Sequence, residues 1–85
     1  MNSLTRKENK NRNSDFIALG NRLRNLRLEK GHISLEKFAN DCKISRSLYS
    51  NYEYGNGNIT YKNLLKVTRA LKISLKDFFS EGFKH

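Results

Sequence analysis

Cysteine and long apolar segments are scarce in this 85-residue sequence. Its single cysteine, Cys42, cannot form a disulfide within the chain, so nothing requires an oxidising compartment. Met1 and Leu4 are the sole apolar side chains of residues 1–14, which therefore lack the apolar segment of a signal peptide. No segment approaches the roughly 18 apolar residues of a membrane span. We therefore expect a soluble, cytoplasmic protein with no membrane partner.

The groups that enzymes and metal sites need are also missing. His32 and His85 are too few and too isolated to form a metal site with one cysteine. No nucleophile, base and orienting acid can be assembled, and no glycine-rich phosphate loop follows a strand. Folding of so short a chain buries only about 60 to 65% of its unfolded surface, which leaves little room for a cofactor cavity. The sequence predicts no catalytic residues, no metal, no cofactor and no small-molecule ligand.

Acidic residues are few as well, with 8 Asp and Glu against 17 Lys and Arg. The resulting net charge of +9 and isoelectric point near 10.0 are far to one side for a chain of this length. Such an excess of positive charge favours a polyanionic partner, of which nucleic acid is the commonest. A basic surface that serves only solubility is the alternative.

What the sequence does contain is apolar spacing typical of helices, with no proline and no alternating strand pattern in competition. Residues 1–14 are basic and have little to bury, which indicates a flexible arm. We predict an all-α domain over 15–80 and a short tail over 81–85. Its five helices should cover about 15–30, 35–42, 46–53, 61–71 and 75–79. The expected N-caps are Ser14 or Asp15, then Ser34, Ser45, Thr60 and Ser74. Gly31 should end the first helix, and the turn residues "GNGN" at 55–58 should follow the third.

The third predicted helix has two different sides when its residues are placed at about 100° intervals. One side carries Arg46, Ser47, Ser50, Asn51 and Tyr54, and the other carries Leu48, Tyr49 and Tyr52, which we expect to face the core. A guanidinium can pair with guanine and an amide with adenine, while a hydroxyl can bond to a base or a phosphate. An ordinary solvated surface is the alternative. The link to the preceding helix is short, and the small side chain of Ala39 in that helix lets the two helices approach closely. This arrangement predicts a helix-turn-helix whose outer face enters a major groove.

The span from Leu19 to Phe79 resembles the XRE family of helix-turn-helix regulators, typified by Cro and the lambda-type phage repressors. The segments "LRLEKG", "ISLEKFA", "ISRSLYSNYEYG" and "LLKVTRALKISLKDFF" carry this resemblance. It implies a five-helix, lambda-repressor-like domain whose third helix reads operator DNA, usually as a symmetric dimer. The base-reading positions of the family fall on Ser45, Arg46, Ser47, Ser50 and Asn51. The resemblance also implies an ion pair between Arg27 and Glu53, with Arg27 close to a phosphate.

Further contacts to DNA phosphates are expected around the reading helix. The candidates are Ser34, Lys43, Tyr54, Asn56, Asn58, Tyr61 and Lys62. A purely turn-forming role is the alternative for the two asparagines. The chain departs from the family at Leu35, where glutamine is frequent, and at Lys43, where glycine is usual. Lys43 therefore either adopts a positive φ or belongs to a turn of another shape. The link "GHIS" at 31–34 is one residue longer than usual.

Three phenylalanines lie near the end of the sequence, and two of them are adjacent. A short helix has difficulty burying two adjacent rings. We therefore expect one or two of Phe78, Phe79 and Phe83 to face a second copy of the chain. Packing within the chain is the alternative. We predict a sequence-specific transcriptional regulator that binds palindromic operators in double-stranded DNA as a homodimer. Phage-like repressors, restriction-modification controllers and antitoxins all fit this description. The alternative function is a protein-interaction module, such as an antitoxin whose main partner is another protein.

Overall fold

The computed structural model describes residues 14–83, so the predicted basic arm lies almost entirely outside the described residues. The helices are α1 (Ser14–Glu29), α2 (Leu35–Cys42), α3 (Arg46–Tyr54), α4 (Tyr61–Leu71) and α5 (Leu75–Phe78). Their bounds agree with the predicted ones to within one residue, and residues 14–83 contain no strand. The predicted all-α, five-helix fold is confirmed. No helix in this part of the chain is long and apolar enough to cross a membrane.

Four helices begin in the same way, at the N-caps predicted from the sequence. In each, a side-chain oxygen accepts a hydrogen bond from the backbone N–H three residues later, which satisfies a group that the helix itself leaves unpaired. These caps are Ser34, Ser45, Thr60 and Ser74, with oxygen to nitrogen distances of 3.2, 3.2, 3.1 and 3.0 Å. Gly31, at φ 88°, follows the end of α1 as predicted. The start of every helix after α1 is therefore fixed by a local signal.

The tripeptide "KIS" occurs twice, at 43–45 and 72–74, and makes the same turn both times. Lys43 and Lys72 both adopt the left-handed conformation at φ 61°. In both turns the isoleucine N–H then bonds back to the preceding helix, at 3.0 Å for Ile44 and 3.1 Å for Ile73. Of the two possibilities at Lys43, positive φ is therefore the correct one. The turn between α2 and α3 keeps its shape without glycine.

The core lies where α1 and α2 pack against α3 and α4. Phe38 and Tyr49 are fully buried there, with their rings edge to face at 5.5 Å, and Tyr52 is buried beside them. The prediction that the two tyrosines face inward is confirmed. The same prediction for Leu48 is wrong, because this side chain is 41% exposed. Tyr49 and Tyr52 fill the contact of α3 with the core, and Leu48 lies about 40° beyond Tyr52 toward the outer side.

The adjacent aromatic residues at the end of α5 point in different directions. Phe78 is fully buried in the core, whereas Phe79 is 45% exposed. Assigning Phe78 to a dimer interface is therefore wrong, because one of two neighbouring rings on a short helix turns inward. The two rings meet edge to face at 4.9 Å, and Phe83 packs against Phe79 at 5.1 Å.

At Gly20, the backbone of α1 closely approaches that of α3. A Cβ atom there would lie 2.4 Å from the backbone oxygen of Glu53 and 2.6 Å from that of Tyr52. Only glycine permits this distance between the two helices. The third helix is thus held directly against α1, which fixes the direction in which its outer side points.

Candidate nucleic-acid interface

The outer side of α3 forms a polar surface, which we call the reading face and define as Ser45, Arg46, Ser47, Ser50 and Asn51. Ser50 is half-buried and the other four side chains are exposed. The Ser45 oxygen caps the helix by accepting from the N–H of Leu48. Among residues 14–83, no hydrogen bond or ion pair joins the side chains of the other four to any group. Their hydrogen-bonding capacity is therefore free for a partner outside the molecule.

The carboxylate of α3 is turned away from the reading face. Glu53 is the single acidic residue of this helix, and its side chain is only 7% exposed. Its Oε2 lies 2.6 Å from Nε of Arg27 on α1, and its Oε1 accepts from Nη2 at 3.2 Å. Because the carboxylate is paired and buried, it does not repel a phosphate beside the reading face. The ion pair implied by the family resemblance is thus present.

Arg27 also holds the link between α1 and α2. Its Nη1 donates to the backbone oxygens of His32 and Ile33, at 2.7 and 2.8 Å. The hydrogen bonds to Glu53 raise the pKa of the Arg27 guanidinium, which therefore stays charged. With its side chain only 7% exposed and four hydrogen bonds made, Arg27 is not placed to bind a phosphate. We correct that expectation and assign Arg27 to positioning α3.

The remaining phosphate candidates lie on segments that flank α3 in sequence, except Ser34, which precedes α2. Lys43 precedes α3 in the turn, Tyr54 ends it, and Tyr61 and Lys62 begin α4. All four are exposed, as are Ser34 and Asn58, while Asn56 is half-buried. The Ser34 oxygen accepts from the N–H of Lys37 as an N-cap, and its hydroxyl proton is still available to donate to a phosphate.

Leu48 is a residue of this surface that sequence reasoning missed. It is exposed next to the reading face, about 60° around the helix from Asn51. Periodicity alone placed it with the tyrosines because it lies at the boundary between the two sides. Only the width of the contact between α3 and the core decides on which side such a residue falls.

Cys42 and His32 both pack against the core. Cys42 is 2% exposed, and burial raises the pKa of its thiol to about 12, so the thiol stays neutral. Its predicted place as a small core residue is confirmed. His32 packs against Phe38 at 4.8 Å between ring centres. Within the described part of the chain, no group of histidine, cysteine and acidic residues is arranged to hold a metal ion.

A second surface is apolar and lies where α1, the start of α4 and the segment after α5 meet. We call it the aromatic groove, and it has a volume of about 450 Å³. It is lined by Asp15, Phe16, Leu19, Asn58, Ile59, Tyr61, Leu64, Phe79 and Phe83. None of these residues is basic, although the protein carries a net charge of +9. The sequence indicated Phe79 and Phe83 but not the residues that complete the groove, which come from distant parts of the chain.

Comparison with known proteins agrees with this arrangement. Residues 20–81 match a family described as a helix-turn-helix domain. Over 65 residues the chain is 40% identical to control protein C.MunI from Mycoplasma sp, covering 76% of this chain and 88% of that protein. It is 34% identical over 65 residues to control protein C.BamHI from Bacillus amyloliquefaciens, covering 76% and 80%. The crystal structure of the restriction-modification controller protein C.AhdI from Aeromonas hydrophila has a TM-score of 0.74 at 36% identity, covering 79% of this chain and 100% of that one.

These features define a helix-turn-helix protein that binds DNA and regulates transcription. The chain belongs to the XRE family, as the resemblance indicated. The names of its relatives agree with the prediction of a transcriptional regulator rather than with the protein-interaction alternative.

Proposed function

We propose that this protein is a controller of a restriction-modification system that binds operator DNA in the cytoplasm as a homodimer. The controller proteins to which it is similar support this function. The observation that carries it is the reading face, where four of the five side chains are exposed and all but Ser45 form no hydrogen bond or ion pair within residues 14–83. The one carboxylate of α3, that of Glu53, is turned away from this face. A surface of this kind fits the major groove, where base edges offer hydrogen-bond partners.

Each residue of the reading face has a proposed role that follows from its chemistry. Arg46 pairs with a guanine through two parallel hydrogen bonds, and Asn51 pairs with an adenine. Ser45, Ser47 and Ser50 donate to bases or to nearby phosphates. Phosphate contacts orient the protein on the duplex without reading sequence. We propose Ser34, Lys43, Tyr54, Asn56, Asn58, Tyr61 and Lys62 for these contacts. Asn58 and Tyr61 also line the aromatic groove, so we propose that they reach phosphate from its edge.

The proposed dimer forms through the aromatic groove. Two copies that each carry a net charge of +9 repel one another, so their contact needs a surface without basic residues. The lining of the groove meets that need and adds the exposed ring of Phe79. To read successive turns of one face of the duplex, the two α3 helices of such a dimer must lie about 34 Å apart. The operator should then be an inverted repeat.

Binding to DNA tests the reading face. Duplexes are first selected from a random pool by the wild-type protein, and affinities are then measured by fluorescence anisotropy. Arg46→Ala should cost about 1–3 kcal/mol on the selected site and relax the choice at one base pair. The matched control is Arg24→Ala, which removes an exposed arginine from α1. If Arg46→Ala weakens binding equally on all sequences, Arg46 holds a phosphate and the proposed base contact is wrong.

Self-association tests the dimer by sedimentation equilibrium over a range of protein concentrations. Phe79→Ala should raise the dimer dissociation constant at least about tenfold, because a large exposed ring is lost from the contact. Leu28→Ala is the control, since Leu28 is similarly exposed, at 39%, but lies outside the groove. Added salt should strengthen the wild-type dimer because it screens the repulsion between the two copies. A wild-type protein that stays monomeric at every concentration would contradict the proposed dimer.

A further inference from the structure

Arg22 on α1 is a buried arginine that forms no hydrogen bond with α3 within residues 14–83. The residue is 8% exposed, and its guanidinium reaches the end of α5. Its Nε donates to the backbone oxygen of Phe78 at 2.7 Å, and its Nη2 donates to that of Asp77 at 2.7 Å. A third nitrogen, Nη1, lies 3.9 Å from the carboxylate of Glu81, whose side chain is 78% exposed. The two carbonyl contacts are therefore the strong ones, since an exposed ion pair contributes little.

The end of α5 needs such a partner. With four residues, α5 is too short to be stable by itself, and the carbonyls at its end have no partner within the helix. The guanidinium of Arg22 donates to the carbonyl of Phe78 and to that of Asp77, which also accepts from Ser80. It also places a positive charge where the helix dipole favours one. Arg22 thus supplies from α1 what a longer helix would supply from its own next turn.

The stem of Arg22 also supports the chain after α5. Gly82 adopts φ +93° and turns the chain back, and a Cβ atom built on it would lie 3.4 Å from Cδ of Arg22. The turn places Phe83 against Phe79 at 5.1 Å and against Phe78 at 6.2 Å. Arg22 of α1 thus contacts the chain on both sides of the segment that brings Phe79 and Phe83 into the groove.

We propose that Arg22 is a positioning residue for self-association. It touches no partner itself; it holds α5 and the turn at Gly82 so that Phe79 and Phe83 form one wall of the aromatic groove. This inference rests on the proposed dimer. A residue with a merely structural role would lower the stability of the fold and leave the affinity between folded copies unchanged.

A double-mutant cycle tests this role by sedimentation equilibrium. Arg22→Met keeps the aliphatic stem but removes the donors, and it should raise the dimer dissociation constant at least about tenfold. Arg22→Lys, which can still donate to a carbonyl, should restore part of the loss. Once Phe79 is alanine, adding Arg22→Met should weaken the dimer by less than it does alone, because both changes act on the same wall. The control is Arg24→Met, which removes an exposed arginine of the same helix and should change nothing.

The outcomes separate this inference from the proposed function. If the wild type is a dimer and Arg22→Met leaves its dissociation constant unchanged, the positioning role is wrong. The same conclusion follows if the effects of Arg22→Met and Phe79→Ala on the dissociation constant are additive. Neither outcome contradicts the dimer itself. A monomeric wild type overturns both the dimer and the positioning role. Circular dichroism of each variant shows whether it is folded, and Arg22→Lys provides the comparison if Arg22→Met is not.

Discussion

Arg22 and Arg27 lie five residues apart on α1, and both are buried, but they end on different partners. Arg27 meets the carboxylate of Glu53 on α3, so its charge is neutralised within the molecule. Arg22 meets the neutral backbone oxygens at the end of α5. In the first contact, removing either residue leaves a buried charge without its partner. In the second, Arg22 caps the end of a helix, and its N–H donors matter more than its charge.

The difference shows what α1 does in this small domain. One of its arginines fixes the helix that carries the reading face, and the other fixes the segment that carries Phe79 and Phe83. The direction of α3 relative to the aromatic groove is therefore set through a single helix. In the proposed dimer, the same helix would determine the distance between the two reading faces and so the spacing of the operator half-sites.

Breaking the ion pair should give the largest effect on stability. Glu53→Leu leaves the buried guanidinium of Arg27 without its carboxylate and should cost about 3–5 kcal/mol of unfolding free energy. Arg22→Met should cost less, about 1–3 kcal/mol, because it removes one donor from each of two carbonyls, and that of Asp77 still accepts from Ser80. Urea unfolding measures both changes.

The double variant Arg27→Met with Glu53→Leu sharpens this contrast. It removes both charges, so it should recover much of the stability that Glu53→Leu loses. Recovery is expected to be incomplete because Nη1 of Arg27 also holds the backbone oxygens of His32 and Ile33. Equal losses from Glu53→Leu and Arg22→Met would show that the two arginines act alike.

Gly20 lies against the backbone of Glu53, and Gly82 lies against the side chain of Arg22. Replacing each glycine by alanine should have a different effect on stability. Gly20→Ala pushes a methyl group into the backbone of Tyr52 and Glu53, so α1 and α3 must separate, at a cost of about 3 kcal/mol. Gly82→Ala meets only the flexible stem of Arg22, and its cost of about 1–2 kcal/mol comes from positive φ. Urea unfolding measures both.

The two glycine variants should also differ in function. Gly20→Ala displaces the reading face and should weaken specific DNA binding in anisotropy measurements. Gly82→Ala disturbs the wall of the groove and should weaken self-association in sedimentation. If Gly20→Ala changes only self-association, α1 does not position the reading face.

The local parts of this architecture could be predicted from the sequence, because each depends on a few neighbouring residues. Serine or threonine before an apolar run marked the helix starts at Ser34, Ser45, Thr60 and Ser74. Periodicity separated the polar side of α3 from its two inward tyrosines. The pairing of Arg27 with Glu53 followed from the family resemblance, since no local signal connects residues so far apart.

The parts that were missed depend on packing between distant segments. Which of Phe78 and Phe79 turns inward is decided by the helices beneath α5, and adjacent residues on a short helix give no periodic signal. The role of Arg22 depends on carbonyls more than 50 residues away, which sequence spacing does not reveal. Leu48 lay at the boundary between two sides of a helix, where a prediction from angle alone is least certain.

The repeated "KIS" turn offers the smallest and best-matched test. Lys43 and Lys72 share the same φ of 61° and the same following residues, but only Lys43 precedes the reading helix. Replacing either lysine by glycine removes the cost of a side chain at positive φ, so unfolding free energy should rise by about 1 kcal/mol or less in both variants. Stability therefore cannot distinguish the two turns, and the salt dependence of DNA binding can.

If Lys43 neutralises a phosphate, Lys43→Gly should lower the slope of log affinity against log salt by about 1 per protomer. Lys72→Gly should leave that slope unchanged, because the Lys72 turn joins α4 to α5. This is the helix that Arg22 holds, and it does not carry the reading face. Affinity is measured by anisotropy on the selected duplex at several salt concentrations. Identical slopes for the two variants would remove Lys43 from the DNA interface, and the turn before α3 would then serve only to aim the helix.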